Sequence, residues 1–330
     1  MKESDIRPSD LFNEYLRLSA LDAELFFSNT ARLSIPCIGC GGGDVEDSFI
    51  KHDFQYVQCK ECETLYLSPR PPAEVFEQFY ENSVSSNYWA ETFFPAVAES
   101  RRERIFKTRA VALADMCTKK SIATDTIIDV GAGYGIFLEE WAKINSSSRL
   151  IAIEPSASLS QVCREKGFEV IEAVAEKAAG AQNTADLLVC FEVLEHVTEP
   201  LVFVEVLKNL VKPGGYLMIS TLGIEGFDIQ VLWERSNSIS PPHHINFFSI
   251  KGFEALFSRA GLTNIEITTP GVLDTDIVNN SLKPTNTDLN MNRFIKKLVS
   301  NPDLAQKFQT FLIENKCSSH TWIFAQRPIE

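Results

Sequence analysis

A chain of 330 residues is long enough to bury a full α/β core and still carry a small extra module. Its formal charge of −13, from 31 Lys and Arg against 44 Asp and Glu, argues against broad binding of a nucleic-acid backbone. No run approaches the ~18 apolar residues that suggest a membrane span, and the N-terminus has no apolar signal core, so the expectation is a cytoplasmic protein.

In chain order, Leu11, Phe12, Tyr15, Leu16, Leu18, Leu25 and Phe26 predict helical packing in a first segment, residues 1–34. Cys37-x-x-Cys40 and Cys59-x-x-Cys62 follow, with 18 residues between the pairs. Four thiolates at this spacing fit one tetrahedral structural zinc, with no open position for water. Disulfides are the alternative, and the missing signal core speaks against the oxidising compartment they need. Residues 54–67 alternate well enough for the strands of a ribbon, which gives a zinc ribbon over residues 35–70. Cys117, Cys163, Cys190 and Cys317 read as buried or surface thiols.

Ser68-Pro-Arg-Pro-Pro72 stops the ribbon as a short stiff connector, and residues 73–81 read as a helix. Tyr88, Trp89, Phe93 and Phe94 make the next stretch unusually aromatic; they could close over a ligand or pack against the core. A helix over residues 97–117 completes a helical connector, residues 71–120. Its basic run Arg101-Arg-Glu-Arg104 reads as a solvated helix face.

Residues 121–330 form the largest unit. Ile127-Ile-Asp-Val-Gly-Ala-Gly-Tyr-Gly135 is a short buried strand ending in Asp129 and three alternate glycines. Phe137, Trp141 and Ile144 lie at helical spacing directly after it, so the loop opens a helix. A dinucleotide loop would place its third glycine at position 136, where this chain has Ile136. Leu150-Ile-Ala-Ile-Glu-Pro155 is a second strand, with Glu154 placed to accept both hydroxyls of a ribose. A third strand starts at Ala185 and ends in the acidic turn Phe191-Glu-Val-Leu-Glu-His196. A Pro-Gly-Gly turn then leads into a strand ending near Ser220. Residues 251–261 read as a helix, residues 274–292 as a polar loop over the site, residues 293–314 as a helix, and residues 321–327 as the last strand.

Taken together, these motifs resemble class I S-adenosylmethionine-dependent methyltransferases over roughly residues 121–270, resuming at the last strand. The resemblance implies a doubly wound, mostly parallel seven-stranded Rossmann-like α/β sheet, preceded by the zinc ribbon and helices. It implies a cofactor site from Asp129, Gly131, Gly133, Gly135 and Glu154, with Phe191 and Glu192 near the methionine end.

For a hydroxyl or carbon acceptor a base is needed, and histidine suits neutral pH. Two of the five histidines stand in Ser240-Pro-Pro-His-His-Ile-Asn-Phe-Phe-Ser249, so His244 is the first candidate base and His243 the second. This segment is similar to the matching region of deoxysugar C-methyltransferases, which also carry an N-terminal zinc module. That similarity implies a sugar nucleotide or saccharide acceptor. This chain departs from them in having Pro241 where they have a tyrosine, and it ends soon after the expected cofactor domain, where they continue into a further C-terminal domain. Glu192-x-x-Glu195-His196 also resembles the metal-binding motif of ubiquinone-type O-methyltransferases and small-RNA 3′-end methyltransferases, where His244 could supply a further ligand. That reading implies a second divalent ion and a quinone or phenolic acceptor. The bland reading makes the same residues a turn and helix start before Pro200. An RNA methyltransferase and a non-catalytic scaffold keeping the cofactor fold complete the alternatives.

Overall fold

A computed structural model describes residues 1–178, 180–282 and 292–329. The first helix, Ser9–Phe27, leads into a hairpin of β1 (Val45–Lys51) and β2 (Phe54–Cys59), joined by β3 (Leu65–Leu67). Helix Ala73–Asn82 follows the prolines. The expected single helix over residues 97–117 is instead Phe94–Arg101 and Lys107–Lys120, joined through a π-helical turn at Arg102–Phe106. A second π-helical turn, Trp89–Phe93, precedes them. Such turns rotate the face that follows, and they often mark functional sites.

The large sheet contains β4 (Thr126–Val130), β5 (Arg149–Ile153), β6 (Glu169–Ile171), β7 (Ala185–Phe191) and β8 (Val211–Leu222). A two-residue strand, β9 (Asn246–Phe247), pairs with β3 and completes a four-stranded ribbon sheet. The last two strands, β10 (Thr263–Thr268) and β11 (His320–Gln326), give the large sheet the order β10-β11-β8-β7-β4-β5-β6. Only β11 runs against the others, so the sheet is seven-stranded and mostly parallel, as expected.

Every residue of β4 and β7 is buried, which explains their unbroken apolar runs. Alternation along the strands sorts side chains to two faces. Ile128, Leu188 and Ile219 pack with Phe203, Leu207, Phe253 and Phe257 on one side. On the other, Ile127, Val189 and Met218 pack with Leu113, Phe137 and Trp141. The sheet is therefore covered on both faces, as a parallel sheet requires.

Two expectations are corrected here. Residues 274–281 are not loop but helix Asp274–Ser281, whereas residues 283–291 of that stretch lie outside the described residues. The helix expected over residues 293–314 is two, Arg293–Ser300 and Pro302–Glu314. Asn301 caps the second by accepting the Leu304 N–H at 3.1 Å, and Pro302 cannot continue the first.

The ribbon docks on helix Ile250–Arg259, where Arg259 donates to the Gly39 carbonyl at 2.6 Å and Gly252 lies against Gly39 and Thr64. A Cβ on Gly252 would fall 2.0 Å from Thr64 Oγ1. Gly252→Ala is therefore expected to destabilise the fold by about 1–3 kcal/mol through overpacking, lowering the thermal unfolding midpoint by several degrees. A calorimetric scan of the variant beside the parent checks this.

Candidate functional site

The glycine loop leaves the C-terminal end of β4, and Gly131, Gly133 and Gly135 all have positive φ (73°, 55° and 66°). Those backbone angles are open to glycine and strained for other residues. Glu154, 6% exposed at the tip of β5, accepts the Gly133 N–H at 2.8 Å and the Ser156 N–H at 2.9 Å. Burial raises its pKa while these two N–H groups pull it back. Asp129 is buried below the loop, its pKa raised by burial and then by the charge of Glu154.

Of the connector aromatics, Phe94 reaches this loop, stacking on Tyr134 at 5.0 Å, while Tyr134 donates its hydroxyl to the Ala90 carbonyl at 2.6 Å. Trp89 and Phe93 instead stack on each other at 4.4 Å and meet Tyr15 of the first helix.

At the tip of β7, Phe191 lies under the guanidinium of Arg109, 4.8 Å from the ring centroid. Glu192 accepts from Arg109 at 2.8 Å and from Ser220 Oγ at 2.6 Å, with His320 Nε2 at 3.3 Å. Burial alone would raise the Glu192 pKa, but His320 and Arg109 hold it well below the usual carboxylate range. Glu192 is thus committed to these partners. The expected Glu192/Glu195/His196 set is corrected accordingly: the groups that converge are Glu195, His196 and His244, whose ligand atoms all lie within 4.8 Å of one another.

The tautomers follow from the partners. His196 Nδ1 lies 2.9 Å from the His243 carbonyl, and His244 Nδ1 lies 2.6 Å from the Ser238 carbonyl. A carbonyl only accepts, so both Nδ1 atoms carry the proton; His196 also meets the Tyr80 hydroxyl and the Glu192 backbone, whereas the His244 Nε2 lone pair is left to a ligand. Metal-bound histidines have this support behind them. Glu195, 1% exposed, gives one carboxylate oxygen to the Thr221 hydroxyl at 2.7 Å, and burial, reinforced by the charge of Glu192, pushes its pKa up to about 8. His243 points elsewhere: its Nε2 meets Ser85 Oγ at 3.0 Å and its ring packs on Phe79 and Tyr15. It serves the cluster through its carbonyl.

The ribbon cysteines also converge, with Cys37–Cys62 and Cys40–Cys59 sulfur distances of 3.4 and 3.5 Å. No disulfide joins them, and their spacing is close to the ~3.8 Å separation that four Zn–S bonds of 2.3 Å would set.

Sequence reasoning missed Arg109, Ser220, Thr221 and His320. His320 was findable as a rare histidine opening the last strand, but nothing in the spacing marks the other three. It also misread Arg101. Arg102 binds Glu139 and Glu140 at 2.7 Å each, and Arg104 binds Asp5, whereas Arg101 lines a cavity with Arg7, Arg109 and Glu192. Phe227 and Trp233, following β8, are occupied by packing against Phe308 and Phe49.

Burial lowers the pKa of His196 to about 4 and of His244 to about 3. The unfolded chain then binds protons near pH 6.5 that the folded chain refuses, so stability falls as pH drops from about 6.5 toward 4. Each histidine contributes a slope of up to about 1.4 kcal/mol per pH unit. In denaturant titrations across that interval, His196→Asn and His244→Asn should each flatten the slope.

A family model described as a methyltransferase domain matches residues 97–267, over half of the chain. The ubiquinone biosynthesis O-methyltransferase of Xanthomonas euvesicatoria is 30% identical over 132 residues, covering 38% of this chain and 54% of that one. The protein of the same name from Paraburkholderia phytofirmans is 37% identical over 108 residues, 31% of this chain and 46% of that one. The chain thus spans about half the length of these relatives. The plantazolicin methyltransferase BpumL, solved with a desmethylPZN analog and SAH, aligns with a TM-score of 0.51 at 14% identity, covering 76% of this chain and 93% of that one; it shares the fold. With this match to its sheet, glycine loop and helices, the chain belongs to the methyltransferase-domain family.

Proposed function

We propose that this protein is an S-adenosylmethionine-dependent O-methyltransferase acting on a phenolic or quinol hydroxyl, with a divalent ion held by Glu195, His196 and His244. The observation that carries the reading is the convergence of one carboxylate and two imidazoles beside the end of β7, both imidazoles held from behind by a backbone carbonyl at Nδ1. Such a mixed oxygen and imidazole donor set suits a divalent cation. The names of the two relatives point the same way.

Asp129, Gly131, Gly133, Gly135 and Glu154 would hold the cofactor, with Phe191 and Glu192 toward its amino-acid end. Bound there, S-adenosylmethionine supplies an electrophilic methyl, and the divalent ion supplies Lewis acidity that lowers the pKa of an acceptor hydroxyl. The chain's own residues position and shield the reacting groups. His244 acts as a ligand rather than a base, because a pKa near 3 is badly matched to proton abstraction at neutral pH. The four ribbon cysteines take a structural zinc, and the ribbon serves to position His244 through β9. The sugar acceptor keeps one point of support, the union of a zinc ribbon with the histidine segment.

Transfer of labelled methyl from S-adenosylmethionine to catechol tests the proposal. Activity should be lost on mild chelation, return with Mg²⁺ or Mn²⁺, and fall about 100-fold or more in His244→Ala. Chelator-insensitive label in a nucleotide-sugar fraction would instead establish the sugar reading. Metal analysis should find one tightly held zinc per chain, and Cys40→Ser should lose it together with thermal stability.

A further inference from the structure

Nine buried side-chain nitrogen or oxygen atoms lack a hydrogen-bond partner among the described residues, and four of them (Arg7 Nε, Arg101 Nε, His320 Nδ1 and Trp322 Nε1) belong to residues that line one cavity, though these atoms themselves sit behind its wall. Arginine and tryptophan nitrogens only donate, so at least three of the four call for an acceptor atom. Such orphaned donors are costly in a folded chain unless something fills them.

The charges say the same. Arg7, Arg101 and Arg109 all line this cavity, with carboxylates from Glu192 and Asp274. Glu192 is taken by Arg109, and Asp274 is taken by Ser318, the Ser319 N–H and Gln309. Among the described residues Arg7 and Arg101 make no ion pair: Phe12 lies under the first and Trp89 and Phe94 under the second, and the carboxylates of Asp228 and Glu192 act on them only from a distance. Two guanidinium groups without an ion pair, side by side in a protein of charge −13, form a local anion site.

The cavity's place in the sheet bears on whose anion it is. Its lining comes from the N-terminal segment, from Arg101, Ile105 and Arg109, from the ends of β7, β8 and β11 and from residues 270–277; it includes Glu192, proposed above for the cofactor's amino-acid end, but neither the glycine loop nor Glu154. It therefore lies beyond β7 from the proposed cofactor loop, next to Ser238, whose carbonyl orients His244. We infer that this cavity is the acceptor pocket and that the acceptor carries a carboxylate or phosphate, bound by Arg7 and Arg101. The inference rests on the methyltransferase reading and narrows its substrate to an anionic hydroxyl compound.

Titration calorimetry on the full chain saturated with SAH tests it, using benzoate and phenyl phosphate as probes and phenol as the neutral control. At least one anion should bind about tenfold or more tightly than phenol. Arg101→Gln and Arg7→Gln should each remove that preference, and Arg101→Lys should retain part of it. Equal binding of phenol and both anions would overturn the inference. So would a variant that weakens SAH but not 5′-methylthioadenosine, which lacks the amino-acid end, because the arginines would then serve the cofactor. Failure of SAH itself to bind the parent chain would overturn the methyltransferase reading instead, which keeps the two outcomes separate.

Discussion

One buried guanidinium joins the parts on which the site depends. Arg70, at the end of the ribbon and 4% exposed, donates to the Asn246 side chain at 2.7 Å and to the Thr198 carbonyl at 2.5 Å. Asn246 in turn donates to the Leu194 and Val197 carbonyls at 3.0 and 2.7 Å. These bonds lock the histidine segment against the acidic turn after β7, and the Ile245 N–H to the Glu195 carbonyl at 2.9 Å closes the join. Burial lowers the Arg70 pKa to about 10, so the charge persists at neutral pH on neutral acceptors. An interior charge of this kind is tolerated where its hydrogen bonds are met, and it then fixes geometry more than it adds stability.

That join also explains why the ribbon and the large sheet act as one body around the site. The edge of the ribbon pairs with β9, and Tyr56 donates to the His244 carbonyl at 2.6 Å. The cysteine-bearing ribbon, which looks from the sequence like an appended unit, supplies the wall that holds His244, one of the three converging side chains. Packing on Phe79 and Tyr15 does the same for the neighbouring His243, whose backbone carbonyl sets the tautomer of His196.

The acidic turn shows how environment divides two like residues. Glu192 and Glu195 are three positions apart, yet Arg109 and His320 keep the first ionised while burial and the first carboxylate push the second toward neutrality. Opposed shifts in one small region are the pattern by which two like groups take different roles.

The sequence by itself determined the sheet, the glycine loop, Glu154 and the paired cysteines. Each of these is local: a buried strand is a run of apolar residues, a positive φ asks for glycine, and a knuckle is a fixed spacing of thiols. It also singled out Glu195, His196 and His244 as separate candidates. Only the tertiary structure decided which of them meet, because Glu192 turns to Arg109 and His320, more than eighty and a hundred residues away in either direction. The same holds for Arg7 and Arg101. A guanidinium looks solvated in a helical pattern, and the meeting of half-buried Arg101 with Arg7 at one cavity joins residues far apart in the chain, which no periodicity records.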